Sequence, residues 1–193
     1  MVLALALAAV DAGAQSLEVG IGGTLTVSLQ LTDGSNAFRQ YRDEPIGGWG
    51  TGFGVFLTAI SGSGLTIAGE FTRSKYSAEH SDGLGGPSTL AQSLASGYLG
   101  YTVGSASVMA SFLGGASWVW EKLALRGFET EHPLEPPLAL GGGVDVAIRV
   151  STPLAIVTSA RYTSLLGRHE TQDVLGLTSH VFRFGAGLRL RVK

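Results

Sequence analysis

The side chains best suited to chemistry in this chain are its four histidines, His80, His132, His169 and His180, with the carboxylates around them. A metal centre needs imidazoles and carboxylates that repeat on one face. No histidine here stands four residues from another, and no HExxH pattern occurs. Phosphate-cradling and nucleophile-elbow glycine motifs are missing too. One pair remains. Ser179-His180, with Glu170 or Asp173 as an orienting carboxylate, is where a nucleophile and base for acyl hydrolysis would be sought. Adjacency in sequence does not make a hydrogen-bonded pair. The histidines therefore read as solvated residues of long connectors, and no catalytic, metal or cofactor site is assigned. The absence of cysteine removes disulfides, thiolate ligands and thiol nucleophiles.

A second group raises a different question. Glu18, Glu70, Asp145, Arg149, Arg161, Arg183, Arg189 and Arg191 fall inside otherwise apolar stretches. A charge taken out of water is costly unless it is paired. What these residues do depends on the elements that carry them.

Those elements read as strands, because period-two alternation recurs eight times along the chain. In 17–31, Leu17, Val19, Ile21, Leu25, Val27, Leu29 and Leu31 share one face, opposite Glu18, Gly20, Thr24, Thr26 and Ser28. The same rhythm runs through 49–60, 64–75, 95–103, 105–120, 138–150, 154–164 and 181–193. Connectors alternate between long (about 33–48, 76–94, 121–137 and 166–180) and short (Ser61-Gly62-Ser63, Gly104 with its neighbours, and Ser151-Thr152-Pro153). The short ones carry hairpin-turn chemistry. Eight strands joined in this way predict an up-and-down antiparallel arrangement with every long loop at one end.

Composition decides which face is outside. The chain is 45% hydrophobic but only 15% charged, with 29 glycines. Its polar faces are mostly Gly, Ser and Thr, a poor exterior for a soluble barrel but a good filling for a narrow lumen. The apolar faces therefore meet lipid, and the sequence predicts an all-β, eight-stranded antiparallel up-and-down transmembrane β-barrel. Trp49, Phe53, Phe71, Trp118, Trp120, Tyr162, Phe182 and Phe184 lie on the apolar face near strand ends that join long loops, as an interfacial aromatic girdle would. No apolar run is long enough for a spanning helix. Residues 1–14 read as a signal peptide cleaved after Ala14 of Ala12-Gly13-Ala14, leaving 15–193 as the barrel domain. A net charge of -2 without basic clusters predicts no nucleic-acid partner.

The hairpin rhythm, the Ala12-Gly13-Ala14 processing site and the closing strand "FRFGAGLRLRV" together resemble the small outer-membrane β-barrel family of Gram-negative-type bacteria, the OmpA-type and opacity-type barrels. The resemblance covers residues 15–193. It departs at the end, where Val192-Lys193 stands in place of the family's usual aromatic residue. It implies a bacterial outer-membrane location, with the short turns on the periplasmic side and the long loops outside.

By strand parity the eight charged residues named above point into the lumen. Turn symmetry about Thr152 sets Arg161 opposite Gly143 and diagonal to Asp145. Glu18 should meet Arg189 or Arg191 where the first and last strands close. Such a network would plug the lumen. The expected function is a non-catalytic structural or surface-interaction role. A narrow channel for ions or small solutes, or a lipid-modifying barrel enzyme, stands as the alternative. Expected partners are outer-membrane lipid, lipopolysaccharide and an extracellular ligand met through the loops. Loop charges such as Glu121 and Lys122, and the proline-rich "EHPLEPPL" of 131–138, are candidates for that contact by position.

Overall fold

The computed structural model describes residues 17–32, 48–78, 88–125, 128–130, 138–166 and 177–192. The expected processing site, His80, His132, His169, residues 131–137, Glu170 and Asp173 lie outside them. The described elements are β1 (Glu18–Thr32), β2 (Gly48–Ile60), β3 (Leu65–Ala78), β4 (Ser88–Gly104), β5 (Val108–Leu125), β6 (Phe128–Thr130), β7 (Leu138–Arg149), β8 (Leu154–Leu165) and β9 (Leu177–Val192). Every neighbouring pair is antiparallel. Because β4 pairs with β5 and β1 with β9, eight strands close into a barrel, and the three-residue β6 only extends the edge of β5.

The short connectors are tight. Gly64 closes the β2–β3 turn at φ +92°, a conformation L side chains rarely adopt, while its N–H donates to Ser61 O at 2.9 Å. The β7–β8 turn is closed by Val150 N–H to Leu154 O at 2.9 Å. Leu25 is 77% exposed, Trp49 65% and Leu99 64%, whereas Thr24, Thr26, Ser28, Thr58, Thr66, Thr72, Ser96, Ser111 and Thr163 are buried. That is a soluble protein turned inside out, with a mainly apolar exterior and hydroxyl groups within. Strands of 12 to 18 residues exceed the ~9–11 needed to cross a bilayer at a tilt, so they continue beyond the apolar belt.

Two expectations need correction. The connector placed at 76–94 is shorter, since β3 runs to Ala78 and β4 begins at Ser88, and likewise β5 runs through 121–125 and β9 begins at Leu177. Glu121, Lys122 and His180 therefore stand on strands and not in loops. The cause is low hydropathy contrast: in 88–94, Leu90, Gln92 and Leu94 alternate with Thr89, Ala91 and Ser93, and the ladder carries them by pairing Gln92 with Glu121 and Ala91 with Lys122. The lumen is also less uniformly polar than its Gly, Ser and Thr content suggests. Apolar clusters built on Leu94, Val119, Ala139 and Leu165, and on Ala147, Ala155 and Val157 with Phe56 and Met109, lie among the polar residues. A narrow lumen packs as a core does, so every inward position must be filled.

Candidate functional site

The barrel interior gathers the inward charges into two clusters. In the central one, Arg161 of β8 grips Asp145 of β7 with both terminal nitrogens, Nη1 to Oδ1 at 2.6 Å and Nη2 to Oδ2 at 3.0 Å. Its Nε donates to Glu70 Oε2 at 3.2 Å, and Arg183 Nη2 donates to Glu70 Oε1 at 2.9 Å. The register explains the reach: Gly143, two residues before Asp145, pairs directly with Arg161. Glycine is required there, since a Cβ on Gly143 would stand 2.8 Å from Arg161 Cδ and collide with Ala160 O. In the ring of eight strands β3 stands four places from β8, so the Glu70–Arg161 bond crosses the full width of the lumen. Two arginines and two carboxylates make the cluster neutral. Tyr98 lies under Arg161, with its ring centroid 5.1 Å from the guanidinium carbon.

The second cluster sits at the short-turn end. Glu18 takes Arg149 Nη2 at 3.1 Å on Oε2 and Arg189 Nη2 at 3.2 Å on Oε1, with Arg191 Nε 3.6 Å from Oε2. Side-chain exposure in the central cluster runs from 3% to 13%, whereas Arg149 and Arg191 in this mouth reach 24% and 29%. The first cluster is desolvated and the second is wet at its rim.

Between and above the charges run hydroxyl contacts. Thr102 bridges Thr66 at 2.5 Å and Ser111 at 2.7 Å, Ser96 meets Ser117 at 2.7 Å, and Ser28 meets Ser74 at 2.9 Å. A cavity of about 10 Å³ beside the central cluster is lined by Thr24, Thr58, Glu70, Asp145, Ser159 and Arg161, among others. That is room for roughly one water molecule.

The eight aromatic residues expected on the apolar face stand on the barrel exterior, Phe182 partly covered and the rest exposed. Tyr162 packs against Phe182 at 5.1 Å between centroids and meets His180 Nδ1 through its hydroxyl at 2.9 Å. His180 thus sits on the outer surface beside an aromatic ring. Among the described residues no group of three His, Asp or Glu could hold a metal ion.

Three contributors escaped the sequence reading: Tyr98, Phe56 and the Gln92–Glu121 bond, with Gln92 Nε2 to Glu121 Oε1 at 2.9 Å. Tyr98 shares parity with Gly100 and Thr102 and was open to detection. The Gln92 bond needed the missed half of β4.

No protein-family model and no curated protein matches the chain. Solved structures do. The Neisserial surface protein A is similar at a TM-score of 0.63 and 15% identity, over 91% of this chain and 99% of that one. Ail, the attachment invasion locus protein of Yersinia pestis, solved with the heparin analogue sucrose octasulfate, is similar at 0.60 and 15%, over 92% and 99%. The outer membrane protein OprG of Pseudomonas aeruginosa is similar at 0.60 and 14%, over 93% and 98%. At such identities the likeness is one of fold. The chain is an eight-stranded β-barrel of the bacterial outer-membrane type.

Proposed function

We propose that this chain acts at the cell surface as a non-catalytic outer-membrane barrel whose lumen is closed by side chains. Its contacts are then made by the long connectors and by the lipid around it. The observation that carries this reading is the Glu70–Asp145–Arg161–Arg183 cluster. It joins opposite walls of the barrel, is charge-neutral and nearly dry, and has clusters of inward apolar side chains on either side. The mouth cluster of Glu18, Arg149, Arg189 and Arg191, cationic and wetter, ties β1, β7 and β9 together at the short-turn end. The outward aromatics serve as the girdle at the membrane boundary nearest the long connectors, with lipid and lipopolysaccharide as first neighbours. That Ail was solved with a sulfated sugar analogue supports an extracellular ligand for a barrel of this shape.

A narrow channel is the second reading, favoured by one specific observation. Thr26 Oγ1, Thr72 Oγ1, the Tyr76 hydroxyl and Gln92 Oε1 are buried without a hydrogen-bond partner among the described residues. They gather around Ser74, which is in register with Gln92 and, through Gly52, with Thr26. Buried polar groups of this kind are ordinarily met by water. Planar-bilayer conductance separates the two readings. The closed-lumen reading expects no resolved current steps from the wild-type protein. Steps that disappear when the Arg161–Asp145 pair is replaced would overturn it in favour of a charge-lined pore.

A further inference from the structure

The inward charges do not balance evenly along the barrel. The central cluster pairs two carboxylates with two arginines, whereas the mouth at the short-turn end sets Glu18 alone against Arg149, Arg189 and Arg191. Each of these arginines already has Glu18 as a partner, within 3.6 Å, but one carboxylate cancels only one positive charge of three. Among the described residues no other carboxylate stands within ion-pair distance of them. The turns that rim this end, 61–64, 105–107 and 150–153, are built from Gly, Ser, Ala, Val, Thr and Pro and add no charge. The mouth is therefore left with an excess of two positive charges inside low-dielectric walls, which focus its field on an approaching anion.

The arginines are fixed in place by the fold. Arg149 N–H donates to Ser107 O at 2.8 Å in the β4–β5 turn, and Arg191 N–H donates to Pro153 O at 2.7 Å in the β7–β8 turn. Both backbones are thereby tied to the rim. Arg189, the deepest of the three with 7% of its side chain exposed, runs past Gly20, where an added Cβ would stand 2.8 Å from its Cδ. Glycine there leaves the space that the arginine stem fills. Arg149 Nη2 and Arg191 Nε converge on one oxygen, Glu18 Oε2, at 3.1 and 3.6 Å. The two guanidiniums are therefore close enough for one tetrahedral oxyanion to bridge them. Each offers about five N–H donors in a planar fork. Glu18 engages one nitrogen of each, and both side chains stay open to solvent.

We propose that the short-turn mouth binds a dianionic phosphate group, held by Arg149 and Arg191 at the rim with Arg189 behind them. A phosphate or phosphomonoester carries ~1.5–2 negative charges near neutral pH, which matches the excess of two positive charges; a carboxylate or phosphodiester carries only about one. The arginine fork also meets two phosphate oxygens at once. The site needs the barrel fold and does not depend on whether the lumen conducts.

The test is calorimetric titration of the folded barrel in dodecyl maltoside, in a phosphate-free buffer of low ionic strength. The probes are inorganic phosphate, methyl phosphate and dimethyl phosphate. Inorganic phosphate is expected to bind, and dimethyl phosphate, a monoanion, to bind roughly tenfold more weakly. Methyl phosphate separates the sources: binding equal to that of inorganic phosphate makes a phosphorylated molecule the occupant, and weaker binding makes it the free ion. R149Q/R191Q leaves the neutral Glu18–Arg189 pair in place and should weaken phosphate binding by roughly ten- to a hundredfold, through lost charge-assisted hydrogen bonds. Thr152→Glu, on the exposed β7–β8 turn, should weaken it with all three arginines intact, and it carries the test if the double variant folds poorly. No heat of binding with any probe, dimethyl phosphate bound as tightly as inorganic phosphate, or a folded R149Q/R191Q protein that binds phosphate as the wild type does would overturn the proposal.

Discussion

Arg161 is the side chain on which the lumen depends most. It is buried, spends three of its N–H donors on two carboxylates, and rests on the face of Tyr98. A buried ion pair adds little compared with a well-packed apolar pair, but breaking one from a single side is expensive because the partner charge stays behind. Arg161→Met is therefore expected to lower the unfolding free energy by ~3–5 kcal/mol. Adding Asp145→Asn should recover part of that loss, giving a coupling of roughly 0.5–3 kcal/mol in the double-mutant cycle. Urea unfolding of the four proteins in detergent micelles provides the measurement. Strict additivity of the two single losses would show that Asp145 and Arg161 do not act as a pair in the folded protein.

At the level of strands, alternation was legible wherever the two faces differ strongly in hydropathy. β1 sets Ile21, Leu25 and Val27 against Gly22, Thr24 and Thr26, and its parity alone assigns each residue to lipid or lumen. The first half of β4 and the far end of β5 were not legible, because Ala91 and Ser93 face outward there while Leu90 and Leu94 face inward. The usual sense of the pattern is reversed by larger outward neighbours on β3 and β5, which shade the one set, and by the narrow lumen, which needs filling by the other. Inward charges were legible by the same parity. Which of them meet depends on register across four strands, and only the Arg161–Asp145 and Glu18–β9 contacts were close enough in topology to be inferred from turns and termini. The Glu70–Arg161 bond spans the ring and leaves no local trace in the sequence. The exterior assignment carries its own consequence. Leu25→Arg, well inside β1, is expected to cost ~2–4 kcal/mol in phosphatidylcholine vesicles, whereas Leu17→Arg, just before the strand at the short-turn end, should cost ~0–1 kcal/mol. Equal losses at the two positions would count against a lipid belt with its midplane near Leu25.

For the molecule as a whole, closure makes stability a shared property, since none of the eight barrel strands is an edge and none can leave without opening two ladders. The seam between β1 and β9 is held along nearly its whole length, from Val19 opposite Val192 to Gln30 opposite Val181. Glu18 adds side-chain bonds at its short-turn end to β9 and across to Arg149 of β7. Two results are expected from gels run on unboiled and boiled samples. The intact barrel should resist detergent until heated and migrate apart from the boiled chain. Glu18→Gln should keep that behaviour while lowering the conversion temperature, because three arginines lose a shared counter-charge but two of them, Arg149 and Arg191, remain near solvent; the loss is roughly 1.5–3 kcal/mol for hydrogen bonds to a charged group. Glu70→Gln, which removes the charge shared by two buried arginines, should lower it further. The opposite ranking, with Glu18→Gln the more damaging, would locate the stability of the closed barrel at its seam and not in its filled interior.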